Sequence, residues 1–577
     1  MEDTAHPLLP PHAAGLPVWR ALDTRLDVQR LITLWRAWRA MPRRPRLLHL
    51  VAFAPEAPAA RTLQALAAEP SLAAELAAQW HGLLPGMHRL LLEGGQLQLT
   101  LCIGALQPLL REQQFESDSV FLDTTQPWDR WSLKALARCC RRGARVAFDS
   151  PPTAFTKLLA ESGFVLQPDH ARYDPRWELR TSREALRTRA VPPGNCVIVG
   201  AGLAGASVAA ALVRRGWQVQ VLDAAPAPAA GASGLPAGLL VPHVSADDSP
   251  RSRLSRAGLR LMRQEAQRLL RAGEDWAPSG VLELRMDGSP GLPATWPDAG
   301  QEFTAAADAE GPEPWRTGVA HVPALWHAQA AWIKPSRLVQ AWLGMPGINF
   351  LGNTKVHALQ RLDGQWQLLA RDGRLLAQAS HVVLANASDA PRLLAPLKLH
   401  TGLPPLQDMR GVLSSGLRAS GDAAGLPPYP VNGLGSLVPA VPTGDGMAWY
   451  AGATYEAGHE APAPATEHHR VNLDKLQRLL PAAARVLAPA FSAGAARGWG
   501  GTRCVSADRL PLVGPLEDGD EPTLWISAAM GSRGLSFSML CAELLAARLG
   551  AEPWPVEASL ARFLHARRAS PAVTGDF

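Results

Sequence analysis

Asn195-Cys196-Val197-Ile198-Val199-Gly200-Ala201-Gly202-Leu203-Ala204-Gly205 reads as a short buried strand running straight into a glycine-rich turn. Ala206 to Arg215 continues as an Ala-, Val- and Leu-rich helix that stops at Gly216, and Trp217 to Leu222 alternates as a second strand closing on Asp223. A lone GxGxxG is a weak signal, but strand, glycines, helix, strand and acid in this order form a complete βαβ dinucleotide fingerprint. Gly200 permits the tight turn, Gly202 lets backbone approach a pyrophosphate, and Gly205 lets the helix lie close to the strand. The helix N-terminus offers N–H groups and positive dipole to phosphates. Asp223, 18 residues beyond Gly205, stands where a ribose hydroxyl needs an acceptor.

Segments further along favour FAD over NAD. Gly231-Ala232-Ser233-Gly234, with Gly238 beyond, supplies small residues that let a loop lie against the cofactor, which makes Ser233 a candidate contact. His381-Val382-Val383-Leu384-Ala385-Asn386 is a late buried strand ending in small residues, of the kind that returns a chain to its first sheet after an inserted domain. Ala528 to Leu535 opens an amphipathic helix predicted over Ser538–Leu549. Gly531, Ser532, Gly534 and Leu535 then present backbone N–H groups and a helix dipole to the electron-rich pyrimidine edge of a flavin.

The chain of 577 residues exceeds one hydrophobic core, and two to four domains are expected. With 47% apolar and 19% charged residues the composition is that of a globular protein. No stretch has the roughly 18 apolar residues of a membrane span, and the first residues lack a secretory leader, so a soluble cytoplasmic protein is expected. Six scattered cysteines show neither CxxC nor zinc spacing. Buried free thiols and no metal centre are expected.

Before the fingerprint, Arg46–Phe53, Ser119–Asp123 and Ala144–Phe148 read as strands, and Ala59–Trp80 and Trp131–Cys140 as helices, which makes residues 1–180 a doubly wound α/β domain. Residues 181–194 read as a linker. The net charge of +6 is uneven: residues 1–190 hold 24 Lys and Arg against 19 Asp and Glu. Basic runs such as Arg36 to Arg46 and Arg138 to Arg145 suit either phosphate contacts or a solvated surface.

From 195 onward the order of segments resembles the D-amino-acid oxidase, glycine oxidase and sarcosine oxidase superfamily. The resemblance sharpens at Trp499-Gly500-Gly501-Thr502-Arg503 and Asp508-Arg509-Leu510-Pro511-Leu512-Val513-Gly514. It implies that Arg503 clamps a substrate carboxylate, that Arg533 lies near flavin and substrate, and that Val356 contacts the cofactor. A planar guanidinium suits a carboxylate because it makes two parallel charge-assisted hydrogen bonds. The expected architecture is an FAD-binding Rossmann-type domain (195–270, 351–400 and 500–560) carrying an inserted antiparallel-sheet substrate domain (271–350 and 401–499).

The whole arrangement resembles the bacterial bifunctional family that completes the wobble uridine of certain tRNAs. Leu84 to Leu92, Arg214 to Val219, Gly231 to Gly234, Met530 to Leu535 and Leu540 to Glu543 carry that resemblance. It implies FAD-dependent oxidative removal of the carboxymethyl group from carboxymethylaminomethyl-uridine, then methylation of the freed amine with S-adenosylmethionine. The implied partner is tRNA, at the wobble position of its anticodon, and not DNA.

The N-terminal half departs from its family's pattern. Where such methyltransferases carry E-x-G-x-G-x-G, this chain has Leu22-Asp23-Thr24-Arg25-Leu26-Asp27-Val28. Phe53-Ala54 and Gly104-Ala105 lack the acids expected at ribose and adenine, and only Asp123 survives. This half is therefore expected to be a degenerate methyltransferase-like domain, acting as a tRNA-docking or structural module without a working S-adenosylmethionine site. An oxidase of glycine, sarcosine or D-amino acids remains the alternative for the C-terminal half.

Overall fold

The computed structural model describes residues 6–59, 63, 69–149, 153–177, 189–307, 322–397, 399, 402–419, 425–458 and 464–568. In its first part, strands Leu47–Ala54, Leu97–Ile103 and Ser117–Leu122 are buried at every position, as parallel strands covered on both faces must be. They belong to an eight-stranded sheet ordered Gly86–Leu92, Leu97–Ile103, Leu47–Ala54, Val18–Asp23, Ser117–Leu122, Cys140–Phe148, Ala171–Tyr173, Phe164–Leu166. The five strands from Leu97–Ile103 to Cys140–Phe148 are parallel. One face is covered by a cluster containing Trp35 and Trp38, the other by a cluster containing Phe115 and Leu136. The doubly wound reading of this half therefore agrees with the structure.

Two of its helices are shorter than expected. The helix placed over Ala59–Trp80 is described only as Pro70–Ala77 and begins with a proline in its first turn, while residues 60–62 and 64–68 lie outside the described residues. The helix placed over Trp131–Cys140 is Arg130–Ala137. Cys140 opens the next strand instead, because it pairs with Ser117. The 181–194 linker is described only from Arg189.

The fingerprint folds as read. Strands Asn195–Val199 and Gln218–Leu222 are parallel neighbours, and helix Leu203–Arg214 joins them. Their six-stranded sheet runs Ile348–Leu351, Gln218–Leu222, Asn195–Val199, His381–Leu384, Leu524–Ala528, Leu512–Pro515. His381–Leu384 thus returns to the first strand after a long excursion.

The helix expected to be amphipathic over Ser538–Leu549 is corrected by the structure. It starts at Gly534, and every residue from Leu535 to Leu549 is buried. It is enclosed by helices Leu203–Arg214 and Pro250–Leu269, so its surface is apolar nearly all round, with Glu543 and Arg548 as buried charged exceptions. Gly258 of the latter helix allows the close approach: a Cβ there would lie 1.7 Å from the Ser536 carbonyl oxygen.

The second sheet of this half has nine strands, mostly antiparallel, including Leu406–Leu417, Gly446–Gly452 and Arg497–Ser506. Arg497–Ser506 pairs with Leu406–Leu417 along its whole length. The boundary expected at 500 therefore falls inside a strand of the inserted sheet. Conversely, Ile348–Leu351 belongs to the dinucleotide-binding sheet, although most of it was assigned to the inserted domain.

The two halves share a buried seam. Arg89 donates to the Pro553 carbonyl at 2.6 Å and pairs with Gln98. Arg260 reaches the Gln79 and His81 carbonyls at 2.7 and 2.6 Å. Just behind the seam, Arg214 pairs with Glu265, and Arg215 holds Glu543 and Glu552 at 2.9 and 2.8 Å. Charges removed from water this completely persist only when paired.

Candidate functional site

Two helix N-termini converge on one cavity of about 640 Å³. Gly202 caps helix Leu203–Arg214 and Arg533 caps helix Gly534–Leu549, neither with a side-chain hydrogen bond of its own. The cavity wall includes Gly200, Gly202, Asp223, Ser233, Val356, Arg503, Gly531, Ser532, Gly534 and Leu535. Gly205 is absent from the wall for a physical reason. A Cβ there would lie 1.9 Å from the Gly200 carbonyl oxygen, so its task is helix-to-strand contact. Gly200 has φ +109°, and a Cβ on it would strike the Ala385 carbonyl oxygen at 2.5 Å.

Asp223 accepts from the Ala201 and Ala225 backbone N–H groups at 2.7 and 2.8 Å. Its side chain is thereby fixed at the cavity wall. The Leu203 N–H donates to Ser233 Oγ at 2.9 Å, so this serine sits at the mouth of the first helix. A Cβ on Gly202 would meet Ser233 Oγ at 3.0 Å. Ser527 Oγ, also on the wall, is buried without a hydrogen-bond partner among the described residues. A cavity that takes in two helix N-termini, the glycines of the βαβ turn, an acid at the end of the second strand and a buried hydroxyl without a partner among the described residues fits FAD.

A second cavity of about 270 Å³ adjoins the first, with Arg503, Ser532 and Arg533 on its wall beside Asn432, Tyr450 and Tyr455. Arg503 reaches it from the inserted sheet. On Arg497–Ser506 it pairs with Met409 of the neighbouring strand, and its guanidinium lies against Gly411, where a Cβ would meet Nη2 at 2.8 Å. Its Cζ is 6.0 Å from the Tyr455 ring centroid. Gly501 makes room for the Trp499 ring, which a Cβ there would meet at 2.6 Å, and faces the loop at Ala232, whose Cα such a Cβ would meet at 3.4 Å.

Burial holds the pKa of Arg503 below the ordinary guanidinium value, Tyr455 opposing. Burial also lowers that of Arg533, with Glu283 opposing and Arg251 reinforcing. Both remain cations, since arginine does not deprotonate in proteins. Tyr455, Lys475 and Gly411 escape sequence reasoning because none stands in a recognisable motif. Lys475, whose Nζ donates to the Ala453 carbonyl at 2.8 Å, comes from a helix that lies across the sheet.

In the N-terminal half, the crevice between the ends of Val18–Asp23 and Ser117–Leu122 is crossed by an ion pair. Arg25 Nη1 lies 3.2 Å from Asp123 Oδ2 and 3.1 Å from Thr125 Oγ1. Burial opposes ionisation of Asp123, yet hydrogen bonds from Thr125, Arg25 and Gln126 bring its pKa below the ordinary carboxylate value. Arg30 ties down Asp23 at 2.9 Å and stacks over Phe121 at 3.5 Å. The six cysteines are free and buried, as expected. Among the described residues no group of three or more metal-ligating side chains occurs, and no helix is long and apolar enough to cross a membrane.

Residues 195–548 match the family model of FAD-dependent oxidoreductases. The chain is 45% identical to the tRNA 5-methylaminomethyl-2-thiouridine biosynthesis bifunctional protein MnmC of Albidiferax ferrireducens, with 96% of this chain and 95% of that protein covered. It is 47% identical to the protein of the same name from Polaromonas naphthalenivorans, over 95% of this chain and 90% of that one. Glycine oxidase from Geobacillus kaustophilus shares the fold, with a TM-score of 0.51 and 19% identity over 65% of this chain and 99% of that one. The chain therefore belongs to the tRNA 5-methylaminomethyl-2-thiouridine biosynthesis bifunctional protein family, with an FAD-dependent oxidoreductase as its C-terminal part.

Proposed function

We propose that the C-terminal half oxidises carboxymethylaminomethyl-uridine at the tRNA wobble position, in the cytoplasm, and leaves the aminomethyl form. The observation that carries this reading is an arginine, Arg503, without a side-chain hydrogen bond or ion pair among the described residues, in a cavity that adjoins a dinucleotide cradle. The substrate's side group is a glycine whose nitrogen bears the nucleoside, and an arginine fork would hold its carboxylate with two hydrogen bonds. FAD, when bound, would accept a hydride from the carbon next to that carboxylate. Water then cleaves the resulting carbon–nitrogen double bond, releasing glyoxylate and the free amine.

In this reading Gly200, Gly202, Ser233, Gly531, Ser532, Gly534 and Leu535 line the phosphates and flavin, Val356 packs against the cofactor, Asp223 takes the ribose and Gly205 keeps the cradle closed. Arg533 supplies a second positive charge beside the substrate. No side chain is assigned as base, because an unprotonated amine needs none. The test is incubation of purified protein with tRNA carrying the carboxymethylaminomethyl group, followed by nucleoside mass spectrometry. Formation of aminomethyl-uridine with glyoxylate supports the proposal. Oxidation of free glycine or sarcosine with no turnover of tRNA would replace it with a small amino-acid oxidase.

The N-terminal half is read as a methyltransferase-like domain that no longer methylates. Arg25, reaching across the crevice to Asp123, supports this reading, since the one acid kept at that position is already neutralised from within the chain.

A further inference from the structure

The cations of the substrate cavity do not end at its wall. Arg533 has no side-chain hydrogen bond among the described residues, and the carboxylate whose charge acts on it, Glu283, is engaged elsewhere. Glu283 takes Arg285 at 2.7 Å and His327 at 3.1 Å. Beyond Arg533 stands Arg251, partly exposed on the first turn of helix Pro250–Leu269. Its Nη2 donates to a main-chain carbonyl, that of Asp508, at 2.7 Å. The carboxylate of Asp508 belongs to Arg568, which grips both oxygens at 2.7 Å. The next residue, Arg509, is exposed, makes no ion pair among the described residues, and has a left-handed backbone with φ +59°.

The other cations of this helix end are neutralised: Arg253 by Glu557 at 2.8 Å, and Arg256 by Asp248 at 2.6 Å. Asp247 is the exposed acid of the neighbourhood and is hydrogen-bonded to Ser245. Arg251 and Arg509 are therefore left without an ion pair among the described residues, and Arg251 lies near enough to both Arg533 and Arg509 to feel their charge.

Resting on the oxidase reading above, we propose that Arg251 and Arg509 form an RNA-backbone track that holds phosphates flanking the nucleotide whose base enters the cavity. Charge complementarity favours this occupant: a polyanion must accompany any wobble nucleotide into a cavity whose wall already carries two guanidinium groups. Burial, with Arg509 reinforcing and Asp508 opposing, lowers the pKa of Arg251. The track would also let one enzyme distinguish a tRNA-borne glycine unit from free glycine, because phosphates outside the cavity contribute affinity that a free amino acid lacks.

The test measures binding of an anticodon stem-loop RNA to the full-length flavoprotein by fluorescence anisotropy across a salt series. Arg251→Gln and Arg509→Gln are each expected to weaken binding roughly tenfold and to reduce the slope of log K against log salt by about 1. Arg509→Lys restores the slope because it restores the charge. Arg509 is exposed, so its variants keep the fold even if Arg251→Gln disturbs the turn at Asp508. Wild-type affinity and slope in both Gln variants would overturn the track, as would an Arg509→Lys variant as weak as Arg509→Gln. If the wild-type protein leaves a modified stem-loop unoxidised while the Gln variants still lose binding, the oxidase reading fails and the track stands.

Discussion

Arg503 stands on a strand whose neighbours are chosen for emptiness. Gly411 across the ladder leaves room for the guanidinium, and Gly501 two residues earlier leaves room for the Trp499 ring and faces the loop at Ala232. A lysine at 503 would keep the charge and lose the two-toothed grip. Arg503→Lys is therefore expected to lower the oxidase kcat/KM by one to three orders of magnitude, roughly 1.4–4 kcal/mol, with FAD content near normal. Turnover equal to the parent, measured on tRNA bearing the carboxymethylaminomethyl group, would remove Arg503 from the substrate. The fingerprint glycines divide differently. A side chain at Gly202 would meet only Ser233 Oγ within the protein, so Gly202→Val should fold and yet lose FAD, which the visible flavin spectrum of the purified protein reports. Gly205→Ala drives a methyl group into the Gly200 carbonyl and should instead lower the yield of folded protein.

At the scale of elements, the legible parts were those whose period or punctuation reflects local physics. The βαβ unit was readable because turn, approach and contact each demand glycine at one spacing, and His381–Leu384 because an apolar run behind one histidine suits a buried central parallel strand. Helix Gly534–Leu549 was only half readable. An amphipathic helix is expected there, whereas in the fold Glu543 is buried between Arg214 and Arg215 at 3.4 and 2.9 Å. Such pairing across more than 300 residues leaves no trace in local periodicity. The placement of Arg503 on the inserted sheet was likewise hidden, since strand Arg497–Ser506 is glycine-rich and half exposed. Burial of the ion cluster carries its own prediction. Glu543→Gln leaves Arg214 and Arg215 short of countercharge and should destabilise the protein by about 3–5 kcal/mol in denaturant titration. A loss below about 1 kcal/mol would mean that water reaches the cluster.

On the scale of the whole molecule, the seam explains sequence motifs that the catalytic site leaves unused. Leu84 to Leu92 and Arg214 to Val219 carry the family resemblance, and their arginines build the seam: Arg89 crosses it to the Pro553 carbonyl, and Arg215 holds Glu552 from behind, with His49 of the N-terminal half 3.2 Å from the same carboxylate. A domain docked this firmly can be retained for its surface after its own chemistry has gone. The N-terminal half shows how that loss would occur. On the proposed reading, bulky Leu26 stands where the family resemblance places bare backbone; its N–H is tied to the Phe53 carbonyl at 2.6 Å, and Asp123 is held by Arg25. S-adenosylmethionine would lose two charged hydrogen bonds at ribose and adenine, each worth on the order of 1.5–3 kcal/mol, so its binding should fall by roughly two to four orders of magnitude. The chain is thus expected to convert carboxymethylaminomethyl-uridine in tRNA to the aminomethyl form and to stop there. Incubation of the protein with aminomethyl-uridine tRNA and labelled S-adenosylmethionine checks this directly. Label appearing in the wobble nucleoside at a rate comparable to the oxidase would show that the Arg25–Asp123 pair opens to admit the cofactor and that the half still methylates.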